Sequence, residues 1–247
     1  MRCFEKAKNI ANLLLDCFFP RHCLLCGSKV DTDYSNLCHY CIGRIPFIRG
    51  TKCRYCFGKI ADVDDNPGRI CARCKGRKPY FNELRSCWSY KGFGRELILR
   101  LKYCNADYVK NDISKLLKDK CPKICEFASN SFLVPVPLHY FGFLVRGYNQ
   151  AEIIANAVKV ASNGSSVVKL LRSKYKKSQT SLKSCDRTKN VSDVFSCTSR
   201  CNKINKNSKI ILIDDVSTTG ATSQECCRVL RDAGFTNLNV LTLSCGC

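Results

Sequence analysis

Four Cys-x-x-Cys pairs fall between residues 23 and 74: Cys23/Cys26, Cys38/Cys41, Cys53/Cys56 and Cys71/Cys74. Nothing else in the chain restricts its fold as strongly. A C-x-x-C turn sets two sulfurs on one side of a tight knuckle, and two knuckles close a tetrahedral four-sulfur site for zinc. A thioredoxin-like redox motif would need one pair beside a βαβ unit, so four pairs in one short stretch argue against it. Consecutive pairing assigns Cys23, Cys26, Cys38 and Cys41 to one zinc and Cys53, Cys56, Cys71 and Cys74 to another. A cross-braced pairing is the alternative. His22 and His39 flank ligands, but the cysteines already complete both sets. Gly27 and Gly58 follow knuckles by one and two residues, where a positive φ is often required. Short strands are expected around each knuckle. Such a module has little core of its own, so metal binding should supply much of its folding energy.

The chain has 21 cysteines in 247 residues, an odd number that a lone chain cannot pair completely. Residues 1–20 do not read as an export signal: Asp16 interrupts the apolar stretch and no A-x-A pattern follows. Ile10, Leu13, Leu14, Cys17 and Phe18 instead share one helical face, expected to pack on its own domain, with a peripheral membrane anchor as the alternative. These features predict a cytoplasmic protein with reduced thiols. No apolar run reaches the ~18 residues that would span a bilayer. The remaining cysteines, such as Cys87, Cys104, Cys121, Cys125, Cys226 and Cys227, share no spacing and read mostly as small buried hydrophobes. Cys245 and Cys247 are expected to be exposed.

Beyond the knuckles the pattern changes to α/β. Strands are expected at Ser86–Tyr90, Phe132–Leu138, Lys209–Ile213 and Leu238–Leu243. Helices are expected at Gly94–Tyr103, Gln150–Ala161 and Ala221–Ala233, the last stopped by Gly234. Alternation of this kind predicts a parallel sheet. Lys169–Arg200, with its Lys174–Lys177 cluster, reads as a long exposed segment, and such a segment in a compact domain is usually functional.

Residues 210–222, Ile-Ile-Leu-Ile-Asp-Asp-Val-Ser-Thr-Thr-Gly-Ala-Thr, carry the most chemistry. An apolar strand delivers Asp214 and Asp215 at its carboxyl end, the edge where open parallel sheets bind ligands. A loop of small hydroxyl residues follows, then a helix. Its backbone N–H groups and the helix N-terminus make an anion cradle that Gly220 allows to close. Ser217, Thr218, Thr219 and Thr222 can add hydroxyl donors. Two carboxylates would repel a phosphate but suit sugar hydroxyls or Mg²⁺. The combination predicts a ribose 5-phosphate ligand; an Asp-Asp pair that only caps the next helix is the simpler alternative.

This loop resembles the phosphoribosyl pyrophosphate (PRPP) loop of type I phosphoribosyltransferases. Val134–Leu138 followed by Arg146-Gly-Tyr-Asn-Gln-Ala151 resembles the pyrophosphate-side loop of the ComF competence family. Arg187, Asn190, Val191 and Phe195, preceded by Gln179 and Leu182, resemble that family's flexible loop. A double zinc ribbon ahead of the transferase-like domain is also its architecture. Leu144 and Val145 depart from the pattern, standing where the family usually has charged residues, as does Ser217, where an aliphatic residue is common. The resemblance implies a Rossmann-like phosphoribosyltransferase domain with a parallel sheet over residues 81–247, preceded by a helix and double zinc ribbon over residues 1–80. It further implies two structural zinc ions, Mg²⁺ with PRPP, and a role in natural transformation with single-stranded DNA and competence or recombination proteins. Asp214 and Asp215 would hold the ribose hydroxyls and Arg146 would lie near the pyrophosphate, these three forming the catalytic set. Ser217, Thr218, Thr219, Gly220, Ala221 and Thr222 would form the PRPP-binding loop, with Thr218–Thr222 on the 5-phosphate.

The net charge is +21, and two loaded four-cysteine sites would remove only a net four. Basic residues cluster at Lys169–Lys189 and Arg44–Arg54, interleaved with Tyr175, Phe47 and Tyr55. Such a surface can track a nucleic acid backbone while aromatic faces stack bases. The same field would attract PRPP, and Lys enrichment also occurs on merely solvated faces. Three readings follow: a phosphoribosyltransferase with an acceptor the sequence does not name, a zinc-ribbon module holding single-stranded DNA, and a scaffold with a non-catalytic PRPP pocket.

Overall fold

The computed structural model describes residues 21–30, 32–60, 70–103, 107–138, 144–173 and 194–246. Its helices are α1 (His39–Gly43), α2 (Gly92–Tyr103), α3 (Asp107–Lys120), α4 (Pro122–Ala128), α5 (Gln150–Ala161) and α6 (Ala221–Asp232). The strands are β1 (Leu84–Ser89), β2 (Phe132–Pro135), β3 (Ser166–Val167), β4 (Leu171–Ser173), β5 (Phe195–Cys197), β6 (Ile210–Ser217) and β7 (Leu238–Cys245). Five strands form one sheet in the order β1-β7-β6-β2-β3, every neighbouring pair parallel. The expected α/β class, a parallel sheet with helices preceded by a double zinc ribbon, is the architecture found.

Alternation within the central strands explains the two layers. Ile211 and Ile213 of β6, with Leu241 and Leu243 of β7, pack towards α2, α3 and α5. Ile210, Leu212, Leu238 and Val240 point the other way, towards α6 and the β4–β5 pair. A strand whose successive residues enter opposite buried layers must be apolar at every position, as parallel strands covered on both faces are. From β2 the chain runs outwards to β3; from β6 it runs the other way to β7. The connections therefore diverge between β2 and β6, the switch point at which such sheets bind ligands.

The ribbon shares the core of the sheet. Leu37, Ile42 and Ile45 join Ile113, Leu116 and Leu117 of α3 in one buried cluster. The buried Asp112 carboxylate accepts the N–H groups of Ser35 and Asn36, each at 2.7 Å, and the Tyr34 hydroxyl donates to Asp119 at 2.8 Å. Residues 46–48 continue along the β1 edge: Ile48 donates to the Cys87 carbonyl and Ser89 to the Pro46 carbonyl.

Several expectations are corrected. Each first knuckle is closed by a single antiparallel bridge, His22 to Lys29 and Lys52 to Lys59, rather than by strands. The second knuckles sit on helical turns, α1 and a 3₁₀ turn at Ala72–Cys74. Gly27 has the expected positive φ of 74°, but in the second ribbon Phe57, not Gly58, takes it, at 60°. The left-handed residue is the one directly after the second cysteine, and its N–H bonds back to the first: Gly27 to Cys23 and Phe57 to Cys53, both at 2.8 Å. Cys245 is buried rather than exposed, because β7 runs to that residue between β1 and β6. The segment 169–200 is not exposed at its ends, where Leu170, Leu171 and Phe195 are buried and β4 pairs with β5. The N-terminal amphipathic helix, the Lys174–Lys177 cluster, the loop residues Gln179 to Val191, and Cys104 and Cys247 lie outside the described residues.

Candidate functional site

In each ribbon four sulfurs meet: Cys23, Cys26, Cys38 and Cys41 in the first, Cys53, Cys56, Cys71 and Cys74 in the second, all within 4.8 Å of one another. A zinc–sulfur bond of about 2.3 Å gives a tetrahedron edge of about 3.8 Å. Cys26 and Cys38 stand at 3.7 Å and Cys56 and Cys71 at 3.6 Å, so both sets are shaped for zinc. Pairing is consecutive, and the cross-braced alternative is excluded. His22 and His39 take no part in either set. In the first set, hydrogen bonds from Ser28 bring the exposed Cys26 thiol down to about 6, whereas burial raises Cys41.

The second site lies at the switch point. β6 extends through Asp214 and Asp215 to Ser217, so both carboxylates are strand residues rather than loop residues. The Asp215 N–H donates to the Asp214 carboxylate at 2.9 Å, and the Val216 N–H to that of Asp215 at 2.7 Å. Lys102, from the last turn of α2, reaches Asp215 at 2.7 Å. Sequence reasoning missed this residue, which sits more than a hundred positions away with no motif around it. Burial and the neighbouring Asp215 push Asp214 up to about 8 from an ordinary 3.8. The folded chain thus keeps a proton that the unfolded chain releases, and Asp214 lowers stability as pH rises from about 4 to about 8. Asp214→Asn should therefore gain stability relative to the parent over that interval and hold the gain above it. Urea midpoints of the two proteins at pH 5 and pH 8 check this; a constant difference would show that Asp214 is ionised throughout.

After Ser217 the chain turns through exposed Thr218 and Thr219 to Gly220, whose φ of 74° is left-handed. Gly220 precedes α6 and its first turn has no side-chain cap from that position; the Thr219 hydroxyl approaches the Ala221 N–H at 3.4 Å. Backbone donors are thus collected beside the carboxylates. Ala221 and Thr222 begin the helix, both partly buried, while Ser217 is buried in the strand.

The Arg146–Ala151 stretch is explained bond by bond. The Asn149 side chain donates to the Val136 carbonyl at 2.9 Å and accepts the Ala151 N–H, so it ties the start of α5 to the end of β2. The Tyr148 hydroxyl donates to the Leu101 carbonyl at 2.7 Å, next to Lys102. Gly147 is left-handed at 73°. Arg146 donates to Gln150 at 3.2 Å, and the Gln150 Nε2 is buried without a partner among the described residues. β2, α2 and β6 therefore bring Arg146, Lys102 and the Asp pair to one edge of the sheet, although no direct bond joins Arg146 to the carboxylates. Leu144 and Val145 are exposed beside it.

Residues 14–75 match the family model described as a double zinc ribbon domain. Competence protein F of Haemophilus influenzae is 27% identical over 181 residues, covering 70% of this chain and 77% of that protein. Competence protein ComFC of Bacillus subtilis is 26% identical over 239 residues, covering 86% of this chain and 89% of its own length. Over most of its length the chain is thus similar to two competence proteins. Among solved structures, the allosteric regulatory enzyme of purine biosynthesis is 17% identical with a TM-score of 0.37, over 59% of this chain and 30% of that one. Purine phosphoribosyltransferase from Pyrococcus horikoshii is 14% identical with a TM-score of 0.26, over 56% and 71%. Among the described residues, no helix is long and apolar enough to cross a membrane.

Proposed function

We propose that this chain binds PRPP with Mg²⁺ at the carboxyl ends of β2 and β6 and works in competence, handling single-stranded DNA in the cytoplasm. The observation that carries the reading is the Asp214–Asp215 pair followed by the left-handed Gly220 and the start of α6. Asp214 and Asp215 hold the ribose hydroxyls, Thr218–Thr222 hold the 5-phosphate and Arg146 attends the pyrophosphate. Oxygen donors of this kind suit Mg²⁺, which supplies charge compensation to the departing pyrophosphate. Displacement at C1 would form a bond from the acceptor to C1 while pyrophosphate leaves with the electrons of the C1–O bond. Lys102 pairs with Asp215 at 2.7 Å, so ribose hydroxyls would compete with it for that carboxylate.

Calorimetric titration of Mg²⁺ and PRPP into zinc-loaded protein tests this, beside an Asp214→Asn/Asp215→Asn control. Micromolar binding, about 8 kcal/mol at 1 μM, is expected in the parent and should vanish in the control. Because ionised Asp214 is the binding form, affinity should rise with pH up to about 8 and then level. No heat in folded, zinc-loaded parent protein would sink the reading.

A separate observation supports nucleic-acid handling. A cavity of about 620 Å³ opens between the Arg49–Lys52 arch, β1 and the α3–α4 junction. Arg49, Lys52, Lys120 and Lys123 line it, a basic groove suited to a phosphate backbone. Phe47, one of the aromatics expected to stack bases, instead packs edge-on against Trp88 at 6.1 Å. Anisotropy with a fluorescent oligothymidylate should show tight binding that weakens with salt and is lost in Lys52→Glu/Lys123→Glu. Retention in Asp215→Asn would place the strand away from the PRPP site, and loss in that variant alone would argue against the groove.

A further inference from the structure

A second, smaller cavity, about 80 Å³, lies where the second zinc ribbon meets the loop after β6. One wall is Ser217, Thr218, Thr219 and Gly220; the facing wall includes Tyr55, Cys56, Cys74 and Arg77 of the ribbon. Its volume exceeds that of a single water and suits a phosphate group. Among its lining residues Arg77 is the one cation, and its guanidinium makes no hydrogen bond or ion pair among the described residues. Lys102, the other cation near the loop, is already committed to Asp215. From these juxtaposed walls we propose that Arg77 binds the 5-phosphate of the sugar ligand across the ribbon–loop cavity, so that the second zinc ribbon completes the ligand site. The inference rests on the PRPP reading above.

The chain around Arg77 is built to hold it there. Its own N–H bonds to the carbonyl of the ligand Cys74 at 3.0 Å, after Gly76 turns the chain at a φ of 82°. Three residues on, Tyr80 is clamped at both ends by α6, its N–H donating to Gln224 at 3.1 Å and its carbonyl accepting from Arg231 at 3.0 Å. Arg77 is therefore fixed between a metal knuckle and the helix that the phosphate loop begins. The charge balance also asks for a cation. A four-thiolate zinc site carries a net −2 and would repel a phosphate dianion placed beside Cys56 and Cys74, as would the nearby carboxylates. The sheet floor beside the cavity adds unused donors. Thr242 and Ser244 are buried, without partners among the described residues, on β7, the strand between Leu84 of β1 and Ser217 of β6, both of which line the cavity.

The test uses ribose 5-phosphate, which carries only this end of the ligand, beside Mg²⁺–PRPP, titrated into zinc-loaded parent, Arg77→Ala, Arg77→Lys and Arg73→Ala. Arg73 is an exposed cation of the same ribbon that does not line the cavity, and it reports the general field. Arg77→Ala should bind both compounds about 10- to 100-fold more weakly, the range for losing a hydrogen bond to a charged group. Arg77→Lys should recover part of the loss and Arg73→Ala should stay within about twofold. Each variant must retain two zinc ions per chain. Unchanged ribose 5-phosphate affinity in Arg77→Ala, or an equal loss in Arg73→Ala, would overturn the inference while leaving the PRPP reading in place. Failure of the parent to bind either compound would overturn the reading itself and the inference with it.

Discussion

Replacing Cys41 with Ser is expected to cost far more than one metal ion. Cys41 is fully buried in the first ribbon, and structural zinc in small modules contributes about 10–16 kcal/mol of apparent folding energy. A domain as a whole has about 5–15 kcal/mol in hand. Losing the first site should therefore release Leu37, Ile42 and Ile45 from α3 and bare Ile113, Leu116 and Leu117 to water. It should also free the Ser35 and Asn36 N–H groups and leave the Asp112 carboxylate without its donors. The expected result is one zinc per chain, a broad early thermal transition and binding of a hydrophobic dye. Cys56→Ser should be milder for the sheet, because the second ribbon places no cysteine in either hydrophobic cluster and reaches one chiefly through Phe57. Equal melting temperatures for Cys41→Ser and the parent would show that the first ribbon folds independently of the core.

Trp88→Ala should have the next largest effect, about 3–5 kcal/mol. The ring is completely buried, donates its N–H to the Gly94 carbonyl at 3.2 Å and meets Phe47 of the ribbon edge-on. It thus joins β1, α2 and the ribbon edge at one point. Gly94 is shaped by it: a Cβ there would stand 2.6 Å from the indole and 2.7 Å from the Ser89 carbonyl. Removing the ring leaves a cavity walled by three elements that cannot all collapse into it. For a chain of this size the loss corresponds to a drop of roughly 6–20 °C in melting temperature, readable by calorimetry. A change below about 1 kcal/mol would mean that the site relaxes freely and that the ribbon edge is held elsewhere.

Local chemistry made much of the molecule readable in advance. The bounds of α5 coincide with the expectation, because its apolar positions repeat at helical spacing and Asn149 caps it. The helix α3 had the same kind of signal in Val109, Ile113, Leu116 and Leu117 but was masked by its many charges, which a mostly solvated outer face tolerates. Gly58 was misjudged because spacing alone does not say which residue after a knuckle takes the left-handed turn; the Phe57 N–H bond to Cys53 decides it.

By itself the sequence determined the eight sulfur ligands, the parallel α/β class and the carboxylate–glycine loop, since each depends on residues within a few positions of one another. Only the tertiary structure decided zinc pairing, because consecutive and cross-braced sets use the same cysteines. It alone placed Lys102 on Asp215 and Arg77 opposite the loop after β6. Those relations join segments more than a hundred residues apart, and a cation's partner is set by where packing carries it, which no local pattern encodes.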